Sequence, residues 1–128
     1  MVLSPEVRGP TALVVEDEAL ISLALEETLV DSGFQVFTAR TRDEALARVA
    51  AEPIDIALLD YWLETQNADD VAAALKARDI PFAICTGSMP DEMKQRFPGT
   101  IILGKPFAPG AIETVTATLR AASLPPSA

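Results

Sequence analysis

The sequence contains no histidine, and its 128 residues include a single cysteine. Without histidine there is no imidazole base, no His-ligated zinc and no Ser-His or Cys-His nucleophile pair. A phosphohistidine cannot form on this chain. The lone Cys85 cannot close a disulfide within the chain, which suits a reducing cytoplasm. Positive charge is also short: 10 Lys and Arg stand against 19 Asp and Glu, a net charge of −9. An acidic surface repels phosphate backbones and anionic lipid, which argues against direct nucleic-acid or membrane binding. Long apolar runs are absent. The longest, Val71–Leu75, falls far below the ~18 residues that span a bilayer. Met1–Pro10 carries Glu6 and Arg8 where a signal peptide needs an apolar core. The expectation is a soluble, cytoplasmic, single domain.

What is present fits that class. Apolar residues make up 49% of the chain and charged ones 23%, a globular composition rather than a disordered one. Short apolar runs alternate with amphipathic stretches five times. Strands are expected at Ala12–Val15, Gln35–Arg40, Ile54–Asp60, Pro81–Cys85 and Thr100–Leu103. Helix 1 is expected over Glu18–Ser32 with Ile21, Leu25, Thr28 and Leu29 on one face and Gly33 as its stop. Thr41 and Glu44 have the spacing of a capping box, opening a helix that buries Leu46, Val49 and Ala50. Helix 3 covers about Asp69–Arg78 with Val71, Ala74 and Leu75 inward, and Asp69 and Asp70 read as capping charges at its positive end. Asp91–Arg96 has room for one to two turns. The last helix runs from Pro109 to Ala122 with Ile112, Val115 and Leu119 on one side.

Strands apolar on both faces and alternating with helices imply a parallel sheet covered on both sides. The expected fold is therefore α/β and doubly wound, five parallel strands in the order 2-1-3-4-5. Residues 11–122 form the domain, with loose tails at 1–10 and 123–128. In such a sheet the functional crevice lies at the carboxyl ends of the strands. Strand 1 is followed by Glu16, Asp17 and Glu18, strand 3 ends in Asp60, Thr86 and Gly87 follow strand 4, and Lys105 follows strand 5.

Carboxylates crowded together need a compensating cation, and oxygen-only ligands select a hard ion such as Mg²⁺. Asp60 at the end of an apolar strand is placed as a nucleophile towards phosphorus. A metal and Lys105 would neutralise charge on transferring oxygens, Thr86 can donate a hydrogen bond to the attached group, and Gly87 leaves it room.

Val14-Val15-Glu16-Asp17-Glu18, Leu58-Leu59-Asp60, Thr86-Gly87 and Gly104-Lys105-Pro106-Phe107 together resemble the receiver domain of two-component response regulators. The resemblance runs from about Thr11 to Ala122. It implies that Asp60 is the phosphoacceptor, that Glu16, Asp17, Asp60 and the backbone carbonyl of Trp62 bind Mg²⁺, and that Thr86 and Lys105 are the switch hydroxyl and the phosphate-binding lysine. The donor it implies is a phosphohistidine on a sensor histidine kinase or phosphotransfer protein. Residues 81–87 are also similar to the P-F-x-F-A-T-G-Y signature of an alphaproteobacterial subgroup of stand-alone receivers, with Ile84, Cys85 and Ser88 departing from it.

Two further departures bear on mechanism. Receivers commonly carry Tyr or Phe three residues before the strand 5 lysine, where this chain has Ile102, and an isoleucine has no ring to swing. The segment between Thr86 and Lys105 is short and interrupted by Pro90, Pro98 and Gly99, so it is expected to be mobile and to carry the response. The function expected is a stand-alone, non-enzymatic signalling domain. Its signal would leave by contact of helix 4, strand 5 and helix 5 with an unidentified downstream protein, or the domain would act as a phosphate sink. A degenerate receiver serving as a constitutive binding module and an aspartyl-nucleophile phosphatase are the alternatives. Trp62 reads as a partly exposed loop hydrophobe or as a lid over the phosphoryl group, Cys85 as a small buried hydrophobe, and Ile102 as core.

Overall fold

The computed structural model describes residues 9–64, 66–87 and 90–124. The tails expected at 1–10 and 123–128 lie largely outside that range. The elements follow the alternation of the sequence: β1 (Thr11–Val15), α1 (Ala19–Asp31), β2 (Gln35–Ala39), α2 (Arg42–Ala51), β3 (Ile56–Asp60), β4 (Trp62–Leu63), β5 (Gln66–Asn67), α3 (Asp69–Ala77), β6 (Phe82–Thr86), α4 (Pro90–Arg96), β7 (Ile101–Gly104) and α5 (Ala111–Ser123). The main sheet is parallel with order β2-β1-β3-β6-β7, the expected 2-1-3-4-5 arrangement.

Side-chain alternation along the central strands divides the core in two. Leu13 and Val15 of β1, Ala57 and Leu59 of β3, and Phe82 and Ile84 of β6 pack with Val49 of α2, Val71 and Leu75 of α3 and Met93 of α4. Ala12, Val14, Ile56, Leu58, Ala83 and Cys85 point the other way, against Leu25 and Leu29 of α1 and Ile112, Val115 and Leu119 of α5. Both faces of β1, β3 and β6 are thus buried, which is why these strands read as nearly continuous apolar runs. The more polar β2 and the four-residue β7 are the edges.

Local signals act as their chemistry requires. The Phe34 amide donates to the Leu29 carbonyl and the Gly33 amide to that of Val30, a Schellman closure of α1 with Gly33 at φ +95°. Thr41 caps α2 by accepting the Glu44 amide at 3.1 Å. The return bond differs from a capping box: the Glu44 carboxylate takes the amide of Arg40 rather than that of Thr41.

Several expectations are corrected. In α2 Ala45 is buried and Ala50 exposed, because the inward face follows Ala45 and Val49, four residues apart. Strand β3 begins at Ile56, since Asp55 is engaged with Thr11: the Asp55 amide donates to the Thr11 carbonyl and its carboxylate accepts the Thr11 amide. Helix α5 starts at Ala111, after Gly110 at φ +79°. The stretch after Asp60, read as a loop, contains an antiparallel hairpin pairing Trp62 with Asn67 and Leu63 with Gln66. Its turn places Glu64 at φ +51°, the left-handed region that tight hairpin turns demand.

Candidate functional site

Four neighbouring strands deliver the site. As β1 ends, the Glu16 amide donates to the Ala39 carbonyl of β2, and the Glu16 side chain turns inward until it is 1% exposed. The last residue of β3, Asp60, lies opposite Cys85 of β6 and is buried. Thr86 closes β6 opposite Gly104 of β7, and the Lys105 amide donates to the Thr86 carbonyl at 2.8 Å. The Lys105–Pro106 peptide is cis. Among the described residues beyond its chain neighbours, nothing lies within 4 Å of where a Cβ would stand on Gly87.

The side chains converge. Lys105 Nζ donates to Glu16 Oε1 at 2.5 Å and lies 3.3 Å from Asp60 Oδ2. Glu16, Asp17 and Asp60 each present a carboxylate oxygen, and the three oxygens lie within 4.8 Å of one another. Asp17 Oδ2 accepts the amide of Glu64 at 3.0 Å, so the hairpin after β3 is tied to the acidic cluster. The Arg40 guanidinium donates to the backbone carbonyl of Asp17 at 3.4 Å.

Electrostatics follow from this crowding. Burial first, then the charge of Glu16, pushes the Asp60 carboxyl up from 3.8 to about 7, while Lys105 works against the rise. Burial pulls the Lys105 ammonium down, but its hydrogen bond to Glu16 and the charges of Asp60 and Glu16 outweigh that and raise it. One ammonium cannot balance three carboxylates. The donor set is all oxygen and short of positive charge, which fits a hard divalent cation.

Of the residues singled out in the sequence, Glu16, Asp17, Asp60 and Lys105 are brought together, and Thr86 ends the strand beside them. The Trp62 side chain is 53% exposed and meets the Tyr61 ring edge-on at 5.0 Å. Cys85 is buried, and its surroundings push the thiol up to about 12, burial being the main cause.

Other participants were not foreseen. Asp69 and Asp70 stand in the first turn of α3, where acidic charges are expected, but Asp69 does more than favour the helix end. The residue before the helix is Ala68, and it is Asn67 Oδ1 that accepts the Asp69 amide. The Asp69 carboxylate accepts the Tyr61 hydroxyl at 3.0 Å and the Arg96 guanidinium at 2.6 Å. A tyrosine continuing an apolar strand is the one available sequence signal, since a buried hydroxyl needs a partner.

Residues 12–116 match the profile of the response regulator receiver domain. Among characterised proteins, the chain is 32% identical over 114 residues to the alkaline phosphatase synthesis transcriptional regulatory protein PhoP of Bacillus subtilis, covering 84% of this chain and 48% of that one. It is 32% identical over 93 residues to the transcriptional regulatory protein PrrA of Mycobacterium tuberculosis, covering 73% and 40%. The chain spans less than half the length of these relatives. Among solved structures, a response regulator receiver protein from Sinorhizobium medicae superimposes with TM-score 0.83 at 26% identity, covering 92% of this chain and 99% of that one. The PhyR response regulator receiver domain of Erythrobacter litoralis gives 0.81 at 27%, covering 96% and 98%.

Proposed function

Because this chain belongs to the response regulator receiver family, we propose that Asp60 is its phosphoacceptor and that Glu16, Asp17, Asp60 and the backbone carbonyl of Trp62 hold Mg²⁺. The observation that carries this reading is the placement of Lys105 Nζ against both Glu16 and Asp60 at the strand ends. An oxygen of Asp60 attacks the phosphorus of a phosphohistidine on a histidine kinase or phosphotransfer protein. The phosphorus–nitrogen bond breaks and the leaving imidazole keeps the electron pair. Mg²⁺, when bound, supplies neutralisation of the carboxylates and of the incoming phosphoryl oxygens. Lys105 adds a fixed positive charge beside the acceptor, Thr86 donates its hydroxyl to the attached group, and the open space at Gly87 admits it.

The role that follows is signalling rather than turnover. A phosphoryl group at Asp60 changes the surface of α4, β7 and α5, through which the domain contacts a downstream protein. Helix α4 rests on β7, and the half-buried Ile102 of β7 reaches the core beneath it, which supports that surface. The similarity of residues 81–87 to the alphaproteobacterial signature supports a place in that subgroup. Among the described residues no helix is long and apolar enough to cross a membrane, and a cytoplasmic location belongs to this proposal.

Intact-mass analysis after incubation with acetyl phosphate and Mg²⁺ tests the reading. Wild type gains the mass of one phosphoryl group and Asp60→Asn does not. Labelling of both, or of neither, removes Asp60 from the role.

A further inference from the structure

Tyr61 directly follows Asp60, is buried, and donates its hydroxyl to Asp69 Oδ1 at 3.0 Å. Asp69 opens α3. Its other oxygen accepts Arg96 Nη2 at 2.6 Å, and Arg96 is the last residue of α4. The guanidinium carbon lies 5.5 Å from the centroid of the Tyr61 ring, and the Phe97 ring meets Tyr61 edge-on at 5.8 Å. The residue joined covalently to Asp60 is therefore fastened to the far end of α4, while the near end of α4 begins three residues after Gly87.

We propose that the Tyr61–Asp69–Arg96 clasp holds α4 in its resting position and that its opening is how the state of Asp60 reaches the surface. The inference rests on the proposed phosphoacceptor role of Asp60. It answers a need created by β7, which offers the branched aliphatic Ile102 rather than a ring that changes position.

The two bonds of the clasp differ in strength. The Tyr61 hydroxyl is buried and must keep its acceptor, so Asp69 stays with Tyr61. The Arg96–Asp69 pair joins side chains that are 47% and 36% exposed, and such pairs are weak enough to break when something competes. The parting line therefore runs between α4 and α3. A ligand at Asp60 that prefers the open arrangement must work against the pair, so removing the pair tightens its binding by the same factor.

The probe is beryllofluoride, titrated at saturating Mg²⁺ and followed by amide shifts of β7. Wild type, Arg96→Gln and Asp69→Asn are compared, with Lys94→Gln removing the same charge elsewhere on α4. Dispersed amide spectra confirm that each variant folds. Arg96→Gln and Asp69→Asn are each expected to bind about two- to fivefold tighter than wild type, the double variant no tighter than either alone, and Lys94→Gln like wild type. Unchanged or weaker binding by Arg96→Gln, with wild-type binding intact, overturns the clasp alone. An equal gain in Lys94→Gln overturns it too, by showing a general charge effect. No response in wild type overturns the phosphoacceptor reading and the clasp with it.

Discussion

The ammonium of Lys105 lies 2.5 Å from Oε1 of Glu16, a pair closed across 89 positions of sequence. Glu16 is fully enclosed and Lys105 is 17% exposed, so the lysine is the carboxylate's internal counter-ion. Breaking such a pair from one side leaves a buried charge uncompensated, which costs more than the pair gains by forming. The same lysine also stands 3.3 Å from Asp60, so it joins the enclosed Glu16 to the proposed phosphoacceptor.

Lys105→Met should lower metal-free stability at neutral pH by about 3 kcal/mol. Added Mg²⁺ should recover more stability in the variant than in wild type, because the lysine no longer competes for Glu16. Urea denaturation with and without Mg²⁺ measures both effects. A variant as stable as wild type without metal would show that Lys105 does not hold Glu16.

The raised carboxyl of Asp60 predicts a pH-dependent gap between wild type and Asp60→Asn. A group held at about 7 in the folded chain and 3.8 in the unfolded one keeps its proton preferentially in the fold. Its favourable contribution is full below pH 3.8 and is lost as pH rises through 7. Asp60→Asn has no such loss. Its stability advantage without metal should widen from about pH 4 to pH 7 and level off above that. Parallel denaturation series across this range check it, and a constant gap would contradict it.

Gly33→Ala should destabilise the chain by about 1–2 kcal/mol. The cost is backbone alone, since Gly33 sits at φ +95° and, among the described residues, nothing lies within 4 Å of the added methyl. Gly33→Asn should cost less, because asparagine tolerates the left-handed region better. Thermal melting of the two variants ranks them.

Thr41→Ala should cost about 1 kcal/mol by leaving the Glu44 amide without its acceptor. Thr41→Ser keeps the oxygen and should stay near wild type. Denaturation midpoints at matched slope give the comparison.

The fold was legible because Ala12–Val15, Ile56–Asp60 and Phe82–Thr86 are buried on both faces and leave no polar alternation to misread. The acidic cluster was legible because its members stand at the end of a strand or directly after one, where chain direction alone fixes the edge on which they emerge. The hairpin at 62–67 was not, because its turn begins with Glu64 in a left-handed conformation usually supplied by Asn or Gly. The distant partners of Asp69 were hidden for a related reason. An acidic residue at a helix start is well explained locally, and nothing within a few positions announces Tyr61 from just after β3 or Arg96 from α4. Ala50 was assigned inward where Ala45 is buried, since small apolar residues fit either face of a helix.

Cys85 holds the chain's single sulfhydryl. Sealed beneath the sheet and held protonated, it offers alkylating reagents no thiolate while the fold persists. A cysteine introduced at the exposed position of Lys94 would then be the one reactive sulfur in the native protein. A spectroscopic label attached there would report α4 directly, without first replacing the native residue opposite Asp60.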